Sequence, residues 1–213
     1  IHVFKGGLGL AILNAASSHL HVESANGTQR WRQTFGQGEV KTSATHETGE
    51  FPQGTKIEIT LDPIVFGGYF PDPFMLRRSL FELVHLYPGL TIELEQERFY
   101  SNNGLLDLAY ILQKQPAFNQ PCKSFRLHQT RKDVEFQVAA LGDSDSRTAF
   151  VSWVNGCFTK RHGSHVAGFS KALRQIGWRP EIALVHVVMH DPRFAGPCAD
   201  RLQNPEMVST IAE

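Results

Sequence analysis

The chain has 213 residues, 41% of them hydrophobic and 20% charged, an ordinary globular composition for one large or two small domains. Lys plus Arg and Asp plus Glu both total 21, so net charge is zero and no bulk cationic surplus marks a nucleic-acid or membrane partner. Cys122, Cys157 and Cys198 form no C-x-x-C pair, which supports neither a zinc knuckle nor a disulfide framework.

No apolar run nears the roughly 20 residues of a membrane span. No signal peptide opens the chain, so the cytoplasm is the expected compartment. Residues 8–16 (LGLAILNAA) follow a glycine pair and predict a loop feeding a helix. Residues 19–23 and 29–35 alternate polar and apolar around Asn26-Gly27, a hairpin signal because both central turn positions need positive φ. The polar stretch 38–54 reads as a long connection, and 55–61 (TKIEITL) as a strand. Asp72 is placed to cap a helix carrying Phe74, Leu76, Leu80, Leu83, Val84 and Leu86, which Pro88-Gly89 stops.

Residues 90–97 predict a further alternating strand, and the turn Asn102-Asn103-Gly104 leads into a helix over 105–112. Across 124–141 two strands flank the polar segment 129–133. Residues 148–154 are apolar and β-rich, 163–174 form a helix that Ser164 can cap, and 182–189 (IALVHVVM) read as a buried strand. A last helix over 205–213 has Asn204 placed to cap it and proline at its first position. Strands and helices mix without strict βαβ alternation, which predicts the α+β class, with a domain division near 95–103.

Four stretches carry residues suited to chemistry. In Lys5-Gly6-Gly7-Leu8-Gly9, glycines let backbone N–H groups approach an anion ahead of a helix N-terminus, although short glycine clusters also make plain turns. No Gly-Lys-Ser/Thr follows, so this is not a Walker A loop. Gly54-Thr55 sets a hydroxyl beside a flexible residue at a strand start. His162 and His165 lie three apart near the helix at 163–174, and with His190 they suggest a metal-dependent hydrolase. That reading needs further ligands, which no nearby carboxylate or thiol supplies at suitable spacing, and no G-x-S-x-G elbow exists; capping and packing are the preferred roles. Asp191-Pro192-Arg193-Phe194 and Asp200-Arg201-Leu202 read, by physics alone, as punctuation after a strand.

Taken in order, these segments resemble the type IIA DNA topoisomerase ATPase subunits, the gyrase B and topoisomerase IV B family. Gly7, Leu8, Gly9, Asn14 and Ala15 fit the ATP-lid motif H-G-V-G and the helix after it. Asn26-Gly27 through Phe35 and Gly38 is similar to D-G-K…Q-x-F-x-x-G, and Gly54-Thr55 fits the G-T-x-V-x-F strand whose threonine lines the nucleotide pocket. Leu80, Glu82, Leu83, Leu86 and Gly89-Leu90 follow L-x-E-L-x-F-L-x-x-G-V, and Gly104-Leu105 fits the G-G-I entry to the transducer domain. Asn155 with residues 163–169 (GSHVAGF) matches G-T-H-x-x-G-F, residues 191–194 match P-D-P-x-F, and residues 200–202 sit where the family has D-K-L.

The resemblance implies the C-terminal part of a GHKL-type ATPase domain over 1–97, then a transducer domain over 98–213 with a left-handed βαβ crossover. It implies ATP and magnesium as cofactors of the intact enzyme, with Gly7, Leu8, Gly9 and Thr55 on the nucleotide. DNA, a gyrase A-like subunit and a second copy of the chain are the implied partners, and coupling of ATP binding to DNA strand passage is the implied function. The family's Q-T-K loop, whose lysine contacts the γ-phosphate, aligns with Pro197-Cys198-Ala199. That replacement removes a charge worth kcal/mol amounts. The lid histidine position falls on Gly6, and both the lid and the segment between Ala172 and Ile182 are short. The catalytic glutamate, the magnesium-binding asparagine and the adenine-binding aspartate lie ahead of the lid in this family and have no counterpart here. No catalytic residue and no metal ligand is therefore assigned, and the chain alone is expected not to hydrolyse ATP. The alternative is a relative that kept the fold as a binding or regulatory module and lost hydrolysis.

Overall fold

The computed structural model describes residues 8–69, 72–113 and 122–213, with the side chain of Leu8 outside the description. They form two compact units, the first ending at Asp72 and the second running from Pro73 to Glu213. The division expected at 97/98 falls inside a strand of the second unit.

In the first unit, helix α1 (Leu8–Ala15) leads into the antiparallel pair β1 (Ser17–Ala25) and β2 (Gln29–Gly36). A hairpin forms as expected, but its central residues are Gly27 and Thr28 rather than Asn26 and Gly27: only Gly27 takes positive φ, at 102°, while Asn26 opens the turn and its Oδ1 accepts from the N–H groups of Thr28 and Gln29. β5 (Gly54–Leu61) pairs with the other edge of β1. The connection expected over 38–54 holds two short strands, β3 (Glu39–Val40) and β4 (Thr45–Thr48), which share the outer edge of β2. β4 lacks an apolar stripe because all four of its residues are exposed; its ladder and the Arg30–Glu47 and Arg32–Glu47 ion pairs hold it. A one-turn helix, α2 (Pro63–Phe66), follows β5. Asp62 caps it by accepting from the Ile64 N–H, a signal present in the sequence but not read there.

The second unit opens with α3 (Pro73–Leu86). The segment expected as one strand over 90–97 is a hairpin of β6 (Thr91–Leu94) and β7 (Glu97–Tyr100), turning through Glu95 at φ of 55°. Helix α4 (Leu105–Leu112) lies where Gly104 predicts it. β8 (Ser124–Arg131) and β9 (Val134–Leu141) form a hairpin whose turn is only Lys132-Asp133, both at positive φ; polar residues 129–131 belong to β8, which is mostly exposed. β10 (Ala149–Val154), β11 (Cys157–Phe158), α5 (Ser164–Gln175), β12 (Ile182–Val188) and α6 (Glu206–Ala212) complete the unit.

Its sheet runs β11-β10-β12-β9-β8. β12 sits between parallel β10 and antiparallel β9, so the crossover from β10 to β12 passes through β11 and α5. Alternate residues of β9 and β12 feed two cores. Phe136, Val138, Ala140, Ala183, Val185 and Val187 pack against α5 and α6 through Val166, Phe169, Leu173, Met207 and Ile211. Ala139, Leu141, Ile182 and Leu184 pack with Leu86 of α3 and Leu105, Leu108 and Ala109 of α4. That two-sided burial is why β12 reads as a continuous apolar run, and each buried Leu, Ile or Val contributes roughly 1.5–3 kcal/mol. Mixed strands and helices in both units agree with the α+β class.

Candidate functional site

Strand register decides what the first unit can present. Leu20, Val22 and Ser24 of β1 stand opposite Phe35, Gln33 and Trp31 of β2 and opposite Ile59, Ile57 and Thr55 of β5, so these nine residues share one face of the sheet. The other face carries His21, Glu23, Arg32, Lys56 and Glu58. Glu23 pairs with Arg32 at 2.7 Å, and Lys56 pairs with Glu58 at 2.8 Å. The first face is only partly covered: Leu20 is 2% exposed, whereas Ile57 is 45% exposed, Ile59 38% and Trp31 40%. Helix α1 is likewise open, with Ile12 at 63%.

The site residues read from the sequence fall as follows. Thr55 lies on the apolar face, its Oγ1 3.3 Å from Ser24 Oγ, which gives two hydroxyls at the end of an apolar strip. Leu8 and Gly9 begin α1, and nothing stands within 4 Å of a Cβ placed on Gly9. Gly7 lies outside the described residues. Helix α1 is anchored at the opposite end of β1 from Thr55. Ser17 Oγ donates to Leu13 O, Gly38 N–H to Asn14 O and Asp62 N–H to Ala16 O. Seven residues of strand separate Ser17 from Ser24, roughly 23 Å. Among the described residues no hydrogen bond joins Thr55 to α1.

The second unit brings its motifs together more tightly. Leu202 forms a parallel bridge with Gly163 and an antiparallel one with Phe194. Its N–H donates to His162 O at 2.9 Å, and its carbonyl accepts from Ser164 N–H at 3.0 Å. The backbones approach so closely that a Cβ on Gly163, at φ of 135°, would stand 2.2 Å from Leu202 O. Only glycine fits there. Asn155 donates to Met189 O (2.9 Å) and accepts from Met189 N–H (2.8 Å), tying the end of β10 to the end of β12. The motifs at 163–169, 191–194 and 200–202 are thus one assembly. It displays the loop 195–201, closed by Ala195 N–H donating to Arg201 O at 3.0 Å, with Ala199 at φ of 52°.

Two capping expectations need correction. Gly163, not Ser164, is the N-cap of α5, and the helix has no side-chain cap. Asn204 does not cap α6: its Oδ1 accepts from Arg193 N–H at 2.7 Å, and its Nδ2 donates to the Glu206 carboxylate at 2.7 Å, so it braces the 191–194 turn instead.

The histidines are packing groups. Ser152 Oγ lies 3.0 Å from His162 Nδ1 and 2.7 Å from Thr159 Oγ1, which is 3.3 Å from His165 Nε2. A serine beside an imidazole suggests a nucleophile and base, but Ser152, Thr159 and His165 are all fully buried, so no substrate reaches them. Burial lowers His165 to about 3 and His186 to about 4, and lowers His162 as well, so these rings are neutral at physiological pH. Among the described residues no group of three or more His, Cys, Asp or Glu side chains is placed to hold a metal.

No protein-family model matches the chain. Among curated proteins it is 26% identical over 238 residues to the DNA gyrase B protein of Thermus thermophilus, covering 97% of this chain and 37% of that one. It is 26% identical over 225 residues to the DNA topoisomerase IV B protein of Borreliella burgdorferi, covering 97% and 36%. The chain is a relative of the type IIA topoisomerase ATPase subunits. It spans about a third of the length of these relatives. The match to the Thermus protein runs over 238 positions against 213 residues here, so that relative carries residues within the matched span that this chain lacks. Among solved structures the fold is that of the 43K ATPase domain of Thermus thermophilus gyrase B, solved with an aminocoumarin (TM-score 0.78, 24% identity, 97% of this chain and 64% of that one). The topoisomerase IV ATP-binding domain of Francisella tularensis, solved with a small-molecule inhibitor, is similar (TM-score 0.75, 20% identity, 98% and 64%). This gyrase B relative thus has the fold of part of an ATPase region.

Proposed function

We propose that this chain is the coupling part of the ATPase subunit of an ATP-dependent type II DNA topoisomerase, with residues 1–97 beside the nucleotide and residues 98–213 as the transducer that passes its state onward. The supporting observation is the partly uncovered face of the first unit. An open apolar strip of Ile57, Ile59 and Trp31 beside the hydroxyls of Ser24 and Thr55 suits a further layer or a ligand, since an exposed apolar sheet face is stabilised by covering it. Gly7, Leu8, Gly9 and Thr55 are the proposed nucleotide contacts, ATP and magnesium the proposed cofactors. DNA, a gyrase A-like subunit and a second copy of the chain are the proposed partners, and the cytoplasm the proposed location. No general base is assigned among these residues, so the polypeptide alone should bind a fluorescent ATP analogue weakly and turn over no ATP. Magnesium-dependent turnover that Thr55→Ala or Gly9→Ala abolishes would overturn the assignment of the chain as non-catalytic.

The second reading, a module that has lost ATP binding, rests on Ala199 in the loop 195–201. Ala199→Lys in the full-length protein separates the two. A large gain in ATP affinity supports lost binding, and unchanged affinity counts against it.

A further inference from the structure

Beside the 163/202 bridge, and wholly inside the second unit, lies a cavity of about 500 Å³ lined by Arg161, Ser164, Arg201 and Gln203 together with Gly163, Ala167, Leu202 and Pro205. We propose that this cavity binds a small oxyanion, a phosphoryl group of the size of inorganic phosphate. The inference is independent of the function proposed above.

Several observations converge on one sign of charge. The backbone zipper that joins Arg161 N–H to Asp200 O and Ser164 N–H to Leu202 O brings Arg161 and Arg201 to the same rim, although they lie 40 positions apart. No carboxylate lines the cavity. Arg161 has only a long contact with Asp200, at 3.9 Å, and no ion pair of Arg201 is found among the described residues. The 12-residue helix α5 starts at this wall with no side-chain cap and no acidic residue in its first turn, so no charge offsets its positive end, although the Ser164 N–H is taken by Leu202 O. Ser164 Oγ, shielded from solvent, has no hydrogen-bond partner among the described residues and lines the same cavity. Two guanidinium forks and the Gln203 amide are donors beside the positive end of a helix, and a tetrahedral oxyanion is the acceptor that matches them. The volume lies within the range of roughly 300–1,000 Å³ typical of ligand sites, so a phosphate bearing an organic group also fits.

The test titrates the full 213-residue chain with inorganic phosphate against chloride at constant ionic strength, read by calorimetry and by melting temperature. Saturable binding of phosphate over chloride is expected. Arg201→Gln and Arg161→Gln should each weaken it at least about tenfold, the loss of one charge-assisted hydrogen bond. Both side chains are exposed, so the circular dichroism spectrum and the anion-free melting temperature should stay unchanged. Arg201→Lys, which keeps the charge but not the fork, should retain part of the affinity. A parallel titration with a nucleoside monophosphate distinguishes sources: tighter binding than phosphate, lost in the same variants, assigns the group to an organic phosphate, and weaker binding assigns it to the free ion. Phosphate that behaves like chloride overturns the proposal, as does binding that survives in the double variant. Binding of duplex DNA alone, with a steep salt slope, would also overturn it, by making the arginines part of an extended backbone contact.

Discussion

Lowering the pH should weaken the second unit by an amount set chiefly by two buried imidazoles, with His162 adding in the same direction. His165 and His186 stay neutral in the folded chain until pH falls to about 3 and about 4, because burial disfavours their charged forms. In the unfolded chain both protonate near the ordinary value of about 6.5. Below that value the unfolded state takes up protons that the folded state refuses, so stability falls as pH falls; above it neither state gains a proton and the full stability is present. At pH 5 each site costs about 2 kcal/mol, about 4 kcal/mol for the pair, against a typical domain stability of about 5–15 kcal/mol. Hydrogen bonds from Asn103 and Ser101 outweigh desolvation to hold the Asp107 carboxyl below its usual range, so its contribution is lost only at more acid pH and leaves the window from 7.5 to 5 to the histidines. Urea denaturation at pH 7.5, 6 and 5, followed by fluorescence of the buried Trp153 and Trp178, measures the loss. His186→Phe, which keeps an aromatic ring against Tyr87 (centroids 5.3 Å apart), should reduce the loss between pH 7.5 and 5 by about 2 kcal/mol. Equal midpoints at pH 7.5 and 5, or an NMR titration of either imidazole centred near 6.5, would refute the reasoning.

Three further outcomes are expected. Gly163→Ala should cost roughly 3 kcal/mol or more, read as a lower urea midpoint, because its Cβ meets Leu202 O; Gly177→Ala, at φ of 66° with open space around it, should cost only about 1 kcal/mol. Asn155→Ala should cost roughly 2–3 kcal/mol by removing both bonds to the Met189 backbone and leaving alanine at φ of 50°, and amide exchange at Met189 should quicken. Ile59→Lys should reduce self-association measured by sedimentation, with stability changed by less than about 1 kcal/mol, because Ile59 is 38% exposed.

Much of the fold was legible because local signals and burial agree. Asn26-Gly27, the apolar run of β12 and the glycine ahead of α4 each point to what forms. β4 escaped notice because a ladder held by arginine–glutamate pairs has no apolar period. The β6–β7 turn was missed because Glu95 and Gln96 carry no glycine or asparagine signal, yet Glu95 adopts φ of 55°. Capping propensity misplaced Ser164 and Asn204: in each case a stronger tertiary constraint, the 163/202 contact and the Arg193 N–H, claims the position. The face shared by Thr55 and Ile57 needs a register that periodicity suggests and pairing decides. The pairing of Arg161 with Arg201 had no sequence signal, since a backbone zipper rather than a motif unites them.

The bridges at Leu202 make the loop 195–201 and the first turn of α5 parts of one lever with a shared fulcrum. The joint is made of main-chain atoms, so the side chains at the tip of the loop, Pro197, Cys198 and Ala199, can be exchanged without loosening the pivot. A push on that tip would reach the helix through peptide groups, whatever residues receive it.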